Sequence, residues 1–255
     1  MSIDPTDPRP PSKQIAAELR EQITSGRLAP GSKLPSERVL TAQYGVAPQT
    51  VRQALTHLKN EGLVLGQAGR GVFVRTNPPL IRLGPERFSR ARRAAGKAAQ
   101  QSEAEDAGRT FRQEVLGLGN VTAPGHVATW LGVEPGTQVF RRYRREYVDE
   151  QPTHVSASYY RPETVEGTTI TQTSTGPGGS YASLEEAGHI LTEFYQEFRA
   201  RMPTPEEIRL LQLPLGTPVV CVLRVAYTAA GPIEVYESVV NANMIVFTER
   251  FPAPE

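Results

Sequence analysis

Between Gly45 and Leu63 the apolar residues Val51, Ala54, Leu55 and Leu58 recur at i, i+3, i+4 and i+7. That spacing makes one stripe of a helix. The opposite face carries Gln49, Arg52, Gln53 and Thr56, none of them acidic. Pro48 falls in the first turn, where a missing N–H costs nothing, and Gly62 sits where a C-terminal glycine cap belongs. Upstream, Ile15, Leu19 and Ile23 mark a helix over Ser12–Ser25 with Ser12 as N-cap, and Ser36 caps a second helix, ERVLTAQY, that stops at Gly45. The connection GRLAPGSKLP is turn-rich. Downstream, the β-rich runs Leu63–Leu65 and Val72–Val74 flank a glycine-rich tip and predict a hairpin. Helix, helix, tight turn, helix, hairpin is the order of a winged helix-turn-helix.

That order gives the polar face a use. Gln49, Arg52, Gln53 and Thr56 are expected to face a DNA major groove, where Arg pairs with guanine and Gln with adenine. Arg70, between Gly69 and Gly71 at the hairpin tip, suits the minor groove or a phosphate. Ser36 and Arg38 open the preceding helix, where N–H groups and a cation suit a phosphate. The charge distribution agrees. Residues 1–85 hold 11 Lys/Arg against 6 Asp/Glu, whereas the remainder holds 17 against 21. A basic N-terminal third points to a polyanion.

The pattern changes after residue 76. Residues 77–108 carry Pro78-Pro79, then a cationic run of Arg90, Arg92, Arg93 and Lys97, then acidic residues, and read as a linker. From residue 109 the chain repeats itself at an offset of 80. WLGVEPGTQVFRRYR (130–144) aligns with LLQLPLGTPVVCVLR (210–224), matching Gly136 with Gly216, Thr137 with Thr217 and Arg144 with Arg224. Farther on, Tyr147, Pro152, Val155 and Ser158 match Tyr227, Pro232, Val235 and Ser238. Each unit reads helix, Gly-Thr turn, strand, hairpin, strand. HILTEFYQEFRARM (189–202) reads as a further strand. Two such units are expected to form one antiparallel sheet with helices on one side, an α+β domain. The expected divisions are 1–76, 77–108 and 109–255.

Catalysis and metal binding find little support. His57, His126, His154 and His189 have no metal spacing, and no nucleophile or zinc motif occurs, so no catalytic residue, metal ligand or cofactor is expected. Cys221, the single cysteine, lies in the apolar run PVVCVLRVAY and reads as a buried small side chain. With no cysteine pair, no membrane-length apolar run and no signal-peptide layout, the expected location is the cytoplasm. In VFRRYRREYV, Arg142, Arg144 and Glu146 share one face, and a buried arginine there needs an anion or a carboxylate such as Glu234 or Glu237. STGPGGSYASLEEAG is a glycine-rich loop entering a helix, without the P-loop signature, whose N-terminus suits an anion or carbonyl.

KLPSERVLTAQYGVAPQTVRQALTHLKNEGLVLGQAGRGVFV resembles the DNA-binding domain of GntR-type bacterial regulators. The resemblance implies operator contacts at Ser36, Arg38, Gln49, Thr50, Arg52, Gly69 and Arg70, with Gln53 beside them. Ala47-Pro48 replaces the frequent Ser-Arg, removing one arginine contact. Residues 110–251 resemble the effector-binding (UTRA) domain of the HutC branch, whose fold is similar to that of chorismate lyase. In that domain the first pocket arginine matches Arg144, Glu146 stands at the second arginine position, and Ser156 stands where a pocket glutamate is common. Ser158, Ser180 and Glu234 complete the candidate effector site. Asn243-Met244-Ile245 replaces the usual Asp-Arg-Tyr. The expectation is a homodimeric repressor of an operator with inverted half-sites, answering to a small-molecule effector, for which an anion would serve. The alternatives are a ligand-independent plasmid- or element-maintenance repressor and a lyase-like enzyme.

Overall fold

The computed structural model describes residues 3–67, 69–76, 81–214 and 216–251. The chain forms two compact units, one N-terminal and one beginning after residue 78.

The N-terminal unit follows the apolar periodicity. Helix α1 (Pro11–Thr24) begins one residue before the expected start. Pro10 is its N-cap and Ser12 lies buried inside it, so Ser12 is not the cap. A proline in the first turn has its φ preset and needs no side-chain cap. In α2 (Glu37–Tyr44) the Ser36 hydroxyl accepts from the Val39 amide at 3.3 Å, and Gly45 ends the helix at φ 64°. Helix α3 (Pro48–Asn60) buries Val51, Ala54, Leu55 and Leu58, as its stripe requires. Strands β1 (Val64–Gln67) and β2 (Gly71–Val74) pair as the expected hairpin. One apolar cluster of Ile15, Leu19, Leu34, Leu40, Leu55, Leu58, Val64 and Val74 joins all five elements.

The second unit is built on six antiparallel strands: β4 (Phe111–Thr122), β5 (Gln138–Val148), β6 (Gln151–Tyr160), β7 (Leu191–Arg201), β8 (Val219–Thr228) and β9 (Gly231–Asn241). Their order is β4-β5-β6-β9-β8-β7, which places a pseudo-twofold axis between β6 and β9. The repeat explains this symmetry. Helix α6 (Gly125–Leu131) lies 80 residues before α9 (Pro205–Leu211), and β4 and β7 begin 80 apart. The helices are exchanged between halves, with α6 packed on β9 and α9 on β6. α9 begins at a Thr204–Glu207 capping box with Pro205 in its first turn.

Two expectations are corrected. Residues 81–106 are not a linker. Strand β3 (Ile81–Leu83) pairs in parallel with β10 (Ile245–Phe247), and Ile81, Leu83 and Ala104 share a core with Val148, Val222 and Val240. Within this stretch α4 (Arg90–Ala94) places Arg93 in a buried ion pair with Glu185 at 2.8 Å, so that arginine is not free for phosphate. Residues 77–80 lie outside the described residues. Nor are helices confined to one side of the sheet. A 3₁₀ turn (Pro85–Phe88), α7 (Pro162–Val165) and α8 (Gly179–Glu186) cover the face opposite α6 and α9. Both faces of the inner strands are therefore covered, and Arg142, Arg144, Glu146, His154, Ser156, Ser158, Arg224, Glu234 and Ser238, all on the even face, lie inside the protein.

Candidate nucleic-acid interface and ligand cavity

In the N-terminal unit the buried stripe of α3 turns Gln49, Arg52 and Gln53 into solvent, while Thr50 is half-buried. Thr56 is exposed, but its hydroxyl is turned back onto the Arg52 carbonyl at 2.8 Å. Arg52 Nε lies 3.0 Å from Glu37 Oε2, linking the outer surfaces of α3 and α2. Arg38 is exposed on α2, and the Ser36 hydroxyl is engaged as cap. Arg70 is exposed between Gly69 (φ 70°) and Gly71 (φ 114°), conformations that L side chains adopt rarely. Lys33, absent from the expected set, pairs with Phe73 across the wing. Lys33 Nζ and the Arg70 guanidinium lie 5.9 and 6.0 Å from the Phe73 ring centre. The wing thus carries two cations on one aromatic ring. Nothing in the local pattern of SKLP marks Lys33, because the pairing depends on the chain folding back onto β2.

In the second unit a cavity of about 60 Å³ lies against the even face of the sheet. Arg144, Arg224, Glu234 and Tyr236 line it from the strands, and Ser180 and Tyr181 from α8. Arg144 donates through Nη2 to Ser158 at 2.8 Å, while its buried Nε has no partner. Neighbouring Glu146 and other acidic groups hold the Arg144 guanidinium charged against the opposing effect of burial. The Arg224 guanidinium is stacked between Phe88 (4.6 Å) and Tyr236 (4.1 Å) and donates through Nε to the Tyr181 hydroxyl at 2.9 Å. Glu234 accepts from the Tyr160 and Tyr181 hydroxyls, both at 2.6 Å. Burial and the Glu234 charge push both phenols above their ordinary range, so they stay protonated donors. The α8 N-terminus closes one wall. A Cβ at Gly178 would lie 2.8 Å from the Arg93 carbonyl oxygen, so only glycine permits this approach.

The five candidate effector residues therefore divide. Arg144, Ser180 and Glu234 line the cavity, Ser158 orients Arg144, and Ser156 does not reach the cavity. The Ser156 hydroxyl instead donates to Glu146 at 3.0 Å, in a buried pocket with His154. Burial pulls His154 down to about 4, so it is neutral near pH 7. Arg142 shares the face but donates to the carbonyls of Ile170, Gln172 and Thr173, fastening that loop. Arg224, Tyr181 and Tyr236 were missed. The signal for Arg224 was present, since it is the repeat partner of Arg144.

A wider cleft, about 620 Å³, opens on the odd face and is lined by Trp130, Tyr143, Leu210, Cys221 and Glu237. Two polar pairs close on themselves there, Arg201 with Glu207 at 2.6 Å and His126 with Glu237 at 2.7 Å. The smaller cavity is the better ligand candidate because it holds a buried guanidinium with an unpaired N–H. Half-buried Cys221 has its thiol pushed up by burial, away from reactivity. Among the described residues no group of three or more His, Cys, Asp or Glu side chains is placed to hold a metal ion, and no helix is long and apolar enough to cross a membrane.

A winged helix-turn-helix joined to a domain with a buried, polar cavity is the build of an HTH-type transcriptional regulator. Comparison with known proteins agrees. Residues 11–74 match the model of bacterial regulatory proteins of the gntR family, and residues 106–245 match that of the UTRA domain. The chain is 37% identical over 230 residues to an uncharacterized HTH-type transcriptional regulator of Streptomyces coelicolor, covering 88% of this chain and 86% of the relative. It is 27% identical to the HTH-type transcriptional repressor NagR of Bacillus subtilis, over 91% of this chain and 90% of that one. Among solved structures, a GntR-family regulator superposes with a TM-score of 0.68 at 24% identity, covering 96% of this chain and 99% of the other, a likeness of fold. The chain belongs to the gntR family of bacterial regulators, in the group that carries a UTRA domain. It is a DNA-binding transcriptional regulator, and the lyase-like alternative falls away.

Proposed function

We propose that the chain is a homodimeric repressor that binds an operator of inverted half-sites and is controlled by a small anion in the cavity of its second unit. The Arg144 guanidinium carries the effector part of this reading. It is buried and charged, has an unpaired Nε, and faces a cavity beside a second buried guanidinium, Arg224. Leaving such a donor unsatisfied in the protein interior is costly, and an oxyanion would satisfy it. On the DNA side, Gln49, Arg52 and Gln53 read base edges, Arg38 and the cap of α2 meet phosphate, and Gly69-Arg70 with Lys33 engage the groove beside the wing. A two-fold dimer would present one α3 to each half-site. Relatives named as repressors, NagR and the histidine utilization repressor of Pseudomonas aeruginosa, support the direction of control. Such a regulator works where the bacterial chromosome lies, in the cytoplasm.

Selection of bound genomic DNA at two salt concentrations tests the first half. A recovered inverted repeat that persists at higher salt supports specific readout, and sequence-blind, salt-sensitive binding overturns it. Operator anisotropy in the presence of small carboxylates, phosphate esters and inorganic phosphate tests the second. A compound that raises thermal stability through the cavity yet leaves operator affinity unchanged would refute effector control.

A further inference from the structure

Helices α6 and α9 cover the odd face of the sheet but leave the wider cleft, about 620 Å³, between them, with β6 and β9 in its floor. The repeat builds it. His126 and Trp130 of α6 line it together with their partners 80 residues on, Glu206 and Leu210 of α9. Trp130, Tyr143, Leu223 and Val239 are only half-buried there, so apolar surface at the middle of the second unit is left in water. A concave site of this size and lining suits a ligand of several rings.

The cleft differs in charge from the cavity on the even face, where Arg144 and Arg224 stand against Glu234. Glu197, Glu206, Glu207 and Glu237 line the cleft against Arg199 and Arg201. Arg201 is taken by Glu207 at 2.6 Å. Three carboxylates then stand against Arg199 and the His126 ring, which lies 2.7 Å from Glu237. These acids are also next to aromatic rings. Burial, then the Glu206 charge, pushes the Tyr143 phenol above its ordinary range, and burial, then the Glu237 charge, does the same to Tyr159. The Tyr195 hydroxyl donates to Glu197 at 2.8 Å, and its ring is stacked on Trp130 at 5.0 Å, which fixes that wall. A ring face and a carboxylate attract the same partner, a cation.

We propose that this cleft is a second ligand site, for a lipophilic organic cation of the arylammonium or arylphosphonium kind. Trp130, Tyr143 and Tyr159 would meet its rings, and Glu206 and Glu237 its charge. A bare metal ion would leave the apolar walls wet, and an organic anion would meet the three carboxylates. The inference is independent of the effector reading above, because the two sites lie on opposite faces of the sheet and share no lining residue.

Full-length protein and two ions of matched shape, tetraphenylphosphonium and tetraphenylborate, test it. Trp130 is the only tryptophan of the chain, so its emission reports on the cleft directly. Tetraphenylphosphonium should change that emission saturably, and tetraphenylborate should bind about tenfold more weakly or not at all. Glu206→Gln and Glu237→Gln should each weaken the phosphonium about threefold, the modest loss expected of a partly exposed charge. Tyr143→Leu should weaken it further, and Tyr143→Phe should retain it, since only the ring is used. Glu206→Lys should lower affinity for the cation and raise it for the borate, an exchange of preference that misfolding cannot give. Equal affinity for the two ions, unchanged phosphonium binding in the Glu206→Gln, Glu237→Gln double variant, or no saturable binding by equilibrium dialysis would each overturn the proposal.

Discussion

Helix α3 and the even face of the sheet use similar side chains in opposite ways. On α3, Gln49, Arg52 and Gln53 stand in water, and the ion pair of Arg52 with Glu37 leaves the two side chains 60% and 47% exposed. On the sheet, Arg144, Arg224 and Glu234 are almost wholly buried and tied to Ser158, Tyr160 and Tyr181. An exposed ion pair adds little to stability, whereas removing one member of a buried charged network strands the others. Changes on α3 should therefore be read out in DNA affinity, and changes on the sheet in the fold itself.

The sharpest way to break this contrast is Glu234→Ala. It removes the acceptor of two buried hydroxyls and the countercharge beside Arg224, and should cost about 3–5 kcal/mol in urea unfolding. A loss below about 1 kcal/mol would mean the network is not coupled. Next is pH. His154 has an ordinary value of 6.5 and is held near 4 by burial, with Arg87 acting the same way and Glu146 opposing. The unfolded chain then binds the proton that the folded one refuses, so stability falls as pH drops from about 6.5 to about 4. The loss reaches about 3 kcal/mol. His154→Gln should flatten that slope, and an unaltered profile would refute the assignment.

On the DNA side the effects are smaller and of another kind. Arg52→Ala should cost about 1–3 kcal/mol in operator binding and relax specificity at one base pair, with unfolding unchanged. Arg38→Ala should weaken all sequences alike and lower the salt slope by about 1, measured by anisotropy at several ionic strengths. Glu37→Gln should leave stability within about 0.5 kcal/mol while freeing Arg52. A larger stability change would show that the α2–α3 ion pair is structural.

The N-terminal unit was legible because its determinants are local. Ser36, Gly45, Pro48 and Gly62 act on the turns beside them, and the α3 stripe needs only its own period. The second unit was legible as a repeat, which located the paired strands and, through Arg144, half of the cavity. What escaped depends on distant partners. Tyr181 reaches Glu234 across 53 residues of sequence, and β3 is a three-residue strand that finds its mate only at Ile245. Alternation places Ser156 and Ser158 on one face, but only the fold decides that one serves Glu146 and the other Arg144.

The exchange of α6 and α9 between halves bears on the order in which the protein can assemble on the ribosome. The winged helix-turn-helix core closes with contacts drawn from Ile15 to Val74, so it can consolidate early in synthesis. Helix α6 must instead wait for β9, about a hundred residues later, before its apolar side has a permanent seat. At about 5–20 residues per second that is an interval of seconds, with Val127, Ala128 and Leu131 lacking their final partners. Neither half-repeat is a self-sufficient folding unit, and a chain cut before residue 231 would leave α6 without its strand. Truncation there should yield chaperone-bound or aggregated protein rather than a smaller ligand-binding domain.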